Sequence, residues 1–192
     1  MNSFLNAIIQ KSSWKKATVF TILFAALYIL INFSGVGVAG LMKITGGASI
    51  LDFEFGYSYE KALNMLTALG TEGRVFYQTK ILVIDFPFPF SYMLFYTGFI
   101  ALLTKHITPK KLFGYLLFVP VLAMLFDWME NIGIIAMLNN YPALPNWAVS
   151  LACIMGILKT VFTIGSIIII AGLFILFLYL KFRRHARPVR GR

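Results

Sequence analysis

Four ionisable residues interrupt otherwise apolar stretches of this chain: Asp85, Asp127, Glu130 and Lys159. Charge in such surroundings is costly, and it marks either a buried ion pair or a place where protons, ions or polar ligands are handled. In the run Phe126-Asp127-Trp128-Met129-Glu130-Asn131 the two carboxylates and the amide recur at helical spacing, so they share one helix face. Lys159, with Thr160 and Thr163 nearby, stands on the next apolar segment and can reach that face. Asp85 precedes Phe86-Pro87-Phe88-Pro89-Phe90. In a continuous helix Pro87 and Pro89 free the carbonyls of Val83 and Asp85; alternatively Asp85 caps a fresh helix that begins near Pro87. Both readings interrupt the backbone beside a carboxylate, which a membrane tolerates where protein or a wet cavity satisfies the freed groups.

Three of these carboxylates face one ammonium, which leaves two formal negative charges. Protons, Arg74 or Lys80 from the neighbouring connection, or a bound cation or cationic ligand can neutralise them. The chemistry open to such a cluster is an ion pair that orients helices, acid or base catalysis, or proton and cation handling. Absences narrow the field. His106 and His185 both lie in basic flanking segments, so zinc and Ser-His or Cys-His chemistry lack an imidazole at this layer. Cys153 is the single cysteine, which excludes an intramolecular disulfide and a CxxC centre and suggests a small packed hydrophobe. Asp and Asn oxygens suit a hard cation, but no ligand spacing marks a metal site, and no cofactor is expected. Gly35-Val36-Gly37-Val38-Ala39-Gly40 matches a dinucleotide fingerprint in letters only, because a membrane helix rather than a strand precedes it. Its small residues are expected to permit close helix packing.

The elements that must position these groups are four apolar segments, 17–42, about 81–104, 112–138 and 147–180. Each exceeds the ~20 residues needed to cross a bilayer core of ~30 Å. A mean hydropathy of +0.82, with 59% hydrophobic and 12% charged residues, excludes a soluble domain. The net charge of +10 does not indicate nucleic acid, because no basic–aromatic binding module accompanies it. The basic residues instead flank the apolar segments. Lys11, Lys15 and Lys16 precede the first, Lys105, Lys110 and Lys111 separate the second and third, and Lys181, Arg183, Arg184, Arg187, Arg190 and Arg192 follow the fourth. That asymmetry predicts cytoplasmic termini, a cytoplasmic 105–111 loop and an outside 43–80 connection. Counted from the cytoplasmic ends at ~1.5 Å per residue, the four ionisable groups fall ~22–33 Å deep, in one layer near the outer leaflet. Pro120 is expected to kink the third segment by freeing Leu116.

The 43–80 connection carries its own signals. Ser58 can cap a short amphipathic helix with Ala62, Met65, Leu66 and Leu69 on its apolar side and Gly70 as its stop. Thr71 can cap a second helix that runs through Arg74 and Tyr77 into the second segment. Phe53, Phe55, Tyr57 and Tyr59 suit a membrane interface, and a lid over the acidic layer is the functional alternative.

The expected fold is therefore an all-α, polytopic membrane protein of the cell membrane, a four-transmembrane-helix bundle with an outer amphipathic-helix cap. Residues 1–16 form a cytoplasmic N-terminal segment, 17–182 the transmembrane domain with cap 43–80, and 183–192 a basic cytoplasmic tail. Membrane lipids are the expected partners, including anionic lipid at the cytoplasmic face. The first functional expectation is an acidic cavity that binds a lipid-like or cationic ligand through Asp85, Asp127, Glu130, Asn131, Lys159, Tyr57, Arg74 and Tyr77. The second is an enzyme acting on a lipid-linked substrate, with Asp127, Glu130 or Asp85 as acid or base. A proton- or cation-coupled carrier is third, weakened by the lack of an internal repeat.

Overall fold

The structure is a computed structural model that describes residues 3–107 and 111–185. Lys110 and the 186–192 stretch of the basic tail lie outside the described residues. The described chain is helical, with no strand, and four of its helical stretches are long and apolar enough to cross a membrane: Trp14–Thr45, Gly70–His106, Gly114–Asn140 and Asn146–Arg183.

The short helix α1 (Ser3–Lys11) buries Leu5 and Ile9, one turn apart, against Ile100, Leu103 and Ile107. Ser13 then caps α2 (Trp14–Phe33), its hydroxyl accepting from the Lys16 amide at 3.3 Å. Beyond Lys15 and Lys16 in its first turn, helix α2 is apolar on every side for most of its length and buries only Ala17 and Ile31, the pattern of a helix exposed to an apolar surrounding. The expected single helix over 17–42 is broken. Ser34 is extended and turns its hydroxyl back to the Leu30 carbonyl at 2.5 Å, and Gly37 starts α3 (Val38–Thr45). A Cβ on Gly37 would run into the Ile31 carbonyl, and one on Gly40 into that of Gly35. The glycine-rich run thus makes a tight corner between two helices.

A single 3-10 turn, Leu51–Phe53, follows α3 and carries Asp52. In α4 (Tyr59–Ala68) the Ser58 hydroxyl accepts from the Lys61 amide at 3.2 Å, and Ala62 and Leu66 are buried. Gly70 sits at φ +63°, a left-handed conformation that other residues adopt at a cost. The second span begins there, well before residue 81. It runs through α5 (Gly70–Phe76), a π turn (Tyr77–Ile81) and α6 (Leu82–Asp85) into α7 (Pro87–His106). The third span opens as a 3-10 stretch, Lys111–Leu117, before α8 (Phe118–Asn140). Pro120 lies in the first turn of α8, at its junction with that 3-10 stretch, and not in the middle of a regular α-helix. The last helix, α9, spans Asn146–His185.

Helices α8 and α9 form the most extensive pair, and α7 packs on both and on α2. Gly133 sets the α8–α9 approach, since a Cβ there would lie 2.8 Å from the Ala148 carbonyl oxygen and from Ala152 Cβ. Close backbone approach through small residues is the usual way membrane helices gain packing contacts. The core falls into three regions. Leu41, Leu51, Leu66, Ile81, Ile134 and Met137 fill the end under α3 and α4, called here the capped end. Tyr92, Tyr96, Ala123 and Met124 occupy the middle, and Leu5, Ile9, Ile100, Leu117 and Leu173 fill the basic end.

Candidate functional site

Between the capped end and the middle lies a polar layer drawn from six elements, the Leu51–Phe53 turn, the π turn, α6, α7, α8 and α9. Helix α9 supplies Lys159, whose ammonium is 2.5 Å from Glu130 Oε2, 3.7 Å from Asp127 Oδ1 and 3.9 Å from Asp52 Oδ1. Helix α8 presents Asp127, Glu130 and Asn131 on one inward face, and all three are buried. Asp85, Asp127 and Asp52 each accept a hydrogen bond from one neighbouring side chain. The Asn131 amide donates to Asp85 Oδ2 at 2.6 Å, and the Tyr92 hydroxyl donates to Asp127 Oδ2 at 3.0 Å. From the π turn, the Tyr77 hydroxyl donates to Asp52 Oδ2.

Asp85 ends α6 without capping α7. The backbone between them stays helical at Phe86, and the carbonyl of Phe86 accepts the Trp128 indole N–H at 2.8 Å. Pro87 sits at the first position of α7, so the interruption is a joint between two nearly continuous helices. That joint leaves the Asp85 side chain free to turn to Asn131.

Space for Glu130 comes from Gly156 on α9. A Cβ there would sit 2.5 Å from Glu130 Oε1 and 3.0 Å from its Cδ. Several buried polar atoms have no hydrogen-bond partner: the Tyr57 hydroxyl, Glu130 Oε1 and Asn131 Oδ1. Such groups are rare in native interiors and mark a place where a proton, water or ligand completes the pattern. Tyr57 itself is fixed by its backbone N–H, which donates to Cys153 Sγ at 3.3 Å. Burial pushes its phenol well above the usual tyrosine range, and the nearby Glu130 and Asp52 charges add to the effect.

Two residues expected at the site are placed otherwise. Arg74 donates to the Leu66 carbonyl at 2.9 Å and lays its guanidinium over the Tyr141 ring at 3.8 Å, away from the carboxylates. Lys80 is exposed. Neither neutralises the layer. Asp52 belongs to the 43–80 connection and to no apolar segment, yet the turn brings it against Lys159 and Tyr77. Four carboxylates, Asp52, Asp85, Asp127 and Glu130, thus gather around one ammonium, leaving three formal negative charges. Oxygens of Asp52, Asp127 and Glu130 lie within 4.8 Å of one another, a set that suits a cation, and the Lys159 ammonium already sits among them.

A cavity of about 470 Å³ opens beside this layer, bounded by α2, α7, α8, α9 and the Asp52 turn. Asp52, Asp85, Asp127 and Lys159 form its polar end. Glu130 and Asn131 do not reach the wall and stand behind Asp127 and Lys159 as support. Phe24, Tyr28, Phe88, Tyr92 and Tyr96 provide aromatic walls, in which Phe24 stacks on Phe88 with ring centroids 5.8 Å apart. Thr160, Thr163 and Ile164 of α9 complete the side facing α2. Comparison with protein families, curated proteins and solved structures finds no match to this chain. The chemistry therefore rests on the side chains themselves. They can hold an organic cation against carboxylates and aromatic faces, and they set the Tyr92 hydroxyl on Asp127 with the Lys159 ammonium 3.7 Å away, groups of the kind that serve acid–base chemistry.

Proposed function

We propose that this protein binds a lipid-like amphiphile with a cationic head group. The head lies against Asp52, Asp85 and Asp127, and the chain runs along α2 and α9 toward the bilayer. One observation carries this reading: a single cavity joins an excess of carboxylate charge to aromatic and apolar walls. Its size falls within the ~300–1,000 Å³ of small-molecule sites. Tyr28 is 45% exposed and Ile164 is 51% exposed, so its rim merges with surfaces that face lipid. Aromatic faces attract organic cations most strongly where water is excluded. Lys159 and Asn131 keep the carboxylates in position before the ligand arrives, which limits the ordering lost on binding.

We also infer that the capped end faces outward from the cell membrane and the basic end faces the cytoplasm, on the strength of the Lys and Arg asymmetry. The closed apolar middle, built from Tyr96, Ala123 and Met124, argues for binding over transport through the bundle. A second reading, acid–base catalysis on a lipid-linked substrate, is favoured by the Tyr92 hydroxyl on Asp127 beside Lys159.

The test uses the purified full chain and two probes of equal chain length, hexadecyltrimethylammonium and hexadecanoate. The cationic probe is expected to raise the thermal unfolding midpoint and the anionic one to leave it unchanged. Asp127→Asn should abolish the shift while yielding folded protein. Thr163→Trp, which fills the cavity from α9 and leaves every charge in place, should do the same. Equal shifts from both probes, or none from either, would sink the proposal.

A further inference from the structure

A second cavity, of about 600 Å³, lies at the basic end and shares no residue with the polar layer. It is bounded by α1, α2, α7 and the start of α8. Its floor is apolar, built from Leu5, Ile8, Phe20, Leu94 and Phe118, among others. Its rim carries Lys11, Ser12, Ser13 and Lys16, and no acidic residue lines it. The rim is a fixed corner. The Lys105 ammonium donates to the carbonyls of Gln10 at 2.9 Å and Ser12 at 3.0 Å, and the Lys16 ammonium donates to the Lys11 carbonyl at 2.8 Å. These bonds draw the Lys16 and Lys105 charges to the α1–α2 junction, while Lys11 stands exposed beside them. The first turn of the 20-residue α2 adds its partial positive charge at the same point. Trp14, 55% exposed at this level, suits a bilayer interface.

We propose that this cavity seats one anionic glycerophospholipid, its phosphate against Lys11 and Lys16 and an acyl chain on the apolar floor between α2 and α7. Charge complementarity selects the head group. Two lysines without a lining carboxylate favour a net negative lipid, whereas a zwitterionic lipid would bring its own ammonium against them. The floor selects a lipid over a soluble phosphate, which would leave these apolar walls uncovered. Gly98 fixes the groove, since a Cβ there would come within 2.9 Å of Phe20 and push α2 off α7. The site lies apart from the acidic cavity, so its failure would leave the proposed function untouched.

Native mass spectrometry of the full chain, released from nonionic detergent with added dioleoylphosphatidylglycerol or dioleoylphosphatidylcholine, tests the proposal. One phosphatidylglycerol is expected to remain bound at concentrations tenfold below those needed for phosphatidylcholine. Lys11→Gln with Lys16→Gln should erase that preference, while Lys15→Gln, a neighbouring charge that does not line the cavity, should keep it. Ala7→Trp leaves all three lysines in place and fills the groove, and it should lower retention of both lipids. Circular dichroism and gel filtration confirm that each variant is folded. Equal retention of the two lipids by the unaltered chain would overturn the proposal, as would an equal loss from Lys15→Gln or full retention by Ala7→Trp.

Discussion

Removing the Lys159 ammonium leaves Asp52, Asp127 and Glu130 facing one another with oxygens within 4.8 Å. A buried ion pair that loses one partner strands the other charge, so Lys159→Met is expected to destabilise the protein by about 3–5 kcal/mol, read from its unfolding midpoint. Gly156→Ala tests the same contact by shape alone. Its methyl would press on Glu130 Oε1, and a loss of about 1–3 kcal/mol is expected for such overpacking. An unchanged midpoint in Gly156→Ala would mean that Glu130 has room to move. Tyr57 makes a prediction in pH. Its phenol is held above the ordinary tyrosine value in the folded chain, chiefly by burial. The folded state then keeps a proton that the unfolded chain releases near pH ~10, so its contribution is complete below that pH and fades as pH rises above it. Tyr57→Phe should flatten the alkaline loss of stability. It should cost little at neutral pH, because the hydroxyl it removes has no hydrogen-bond partner.

At the scale of elements, the α8–α9 seam depends on Gly133, and Gly133→Ala should separate the helices and cost about 1–3 kcal/mol. Gly172, further along α9, has open space where a Cβ would go. Gly172→Ala is therefore expected to be neutral or stabilising by up to about 1 kcal/mol, and the two alanines together separate crowding from helix propensity. Elements that rest on local signals were legible in the chain itself. The Ser58 cap, the burial of Ala62 and Leu66, the stop at Gly70 and the four apolar spans all follow from neighbours in sequence. The corner at Ser34–Gly37 was not, because an apolar run looks the same whether its helix bends or not. The site shows the same division. Asp127, Glu130 and Asn131 share a face by helical spacing alone. The arrival of Asp52 beside Lys159, and the departure of Arg74 to Tyr141, depend on how a connection folds back over the bundle, and no spacing encodes that.

For the whole molecule, the two cavities lie at opposite ends of the bundle and carry opposite charge. Carboxylates dominate the polar layer under the cap, and lysines rim the groove at the other end. This polarity and the membrane orientation have a common cause in the placement of basic residues. Among the described residues Lys11, Lys15, Lys16, Lys105, Lys111, Lys181, Arg183 and Arg184 flank the spans at the basic end, whereas the acids of the connection and of the polar layer sit toward the capped end. Insertion retains Lys and Arg in short flanks on the cytoplasmic side, so the capped end is expected outside. The check uses a Cys153→Ser background, in which the serine hydroxyl can still accept the Tyr57 N–H. A membrane-impermeant maleimide added to intact cells should label Glu60→Cys on α4 and spare Lys11→Cys at the end of α1, both positions being exposed. Permeabilising the cells should then label both. The reverse pattern would invert the protein, placing the acidic cavity within reach of cytoplasmic amphiphiles and the lysine-rimmed groove in the outer leaflet. Labelling of both positions in intact cells would instead mean that α1 and α4 lie on the same side, which the single span between them forbids only if all of Trp14–Thr45 crosses the bilayer. That outcome would make the Ser34–Gly37 corner a re-entrant turn and leave three crossings in place of four.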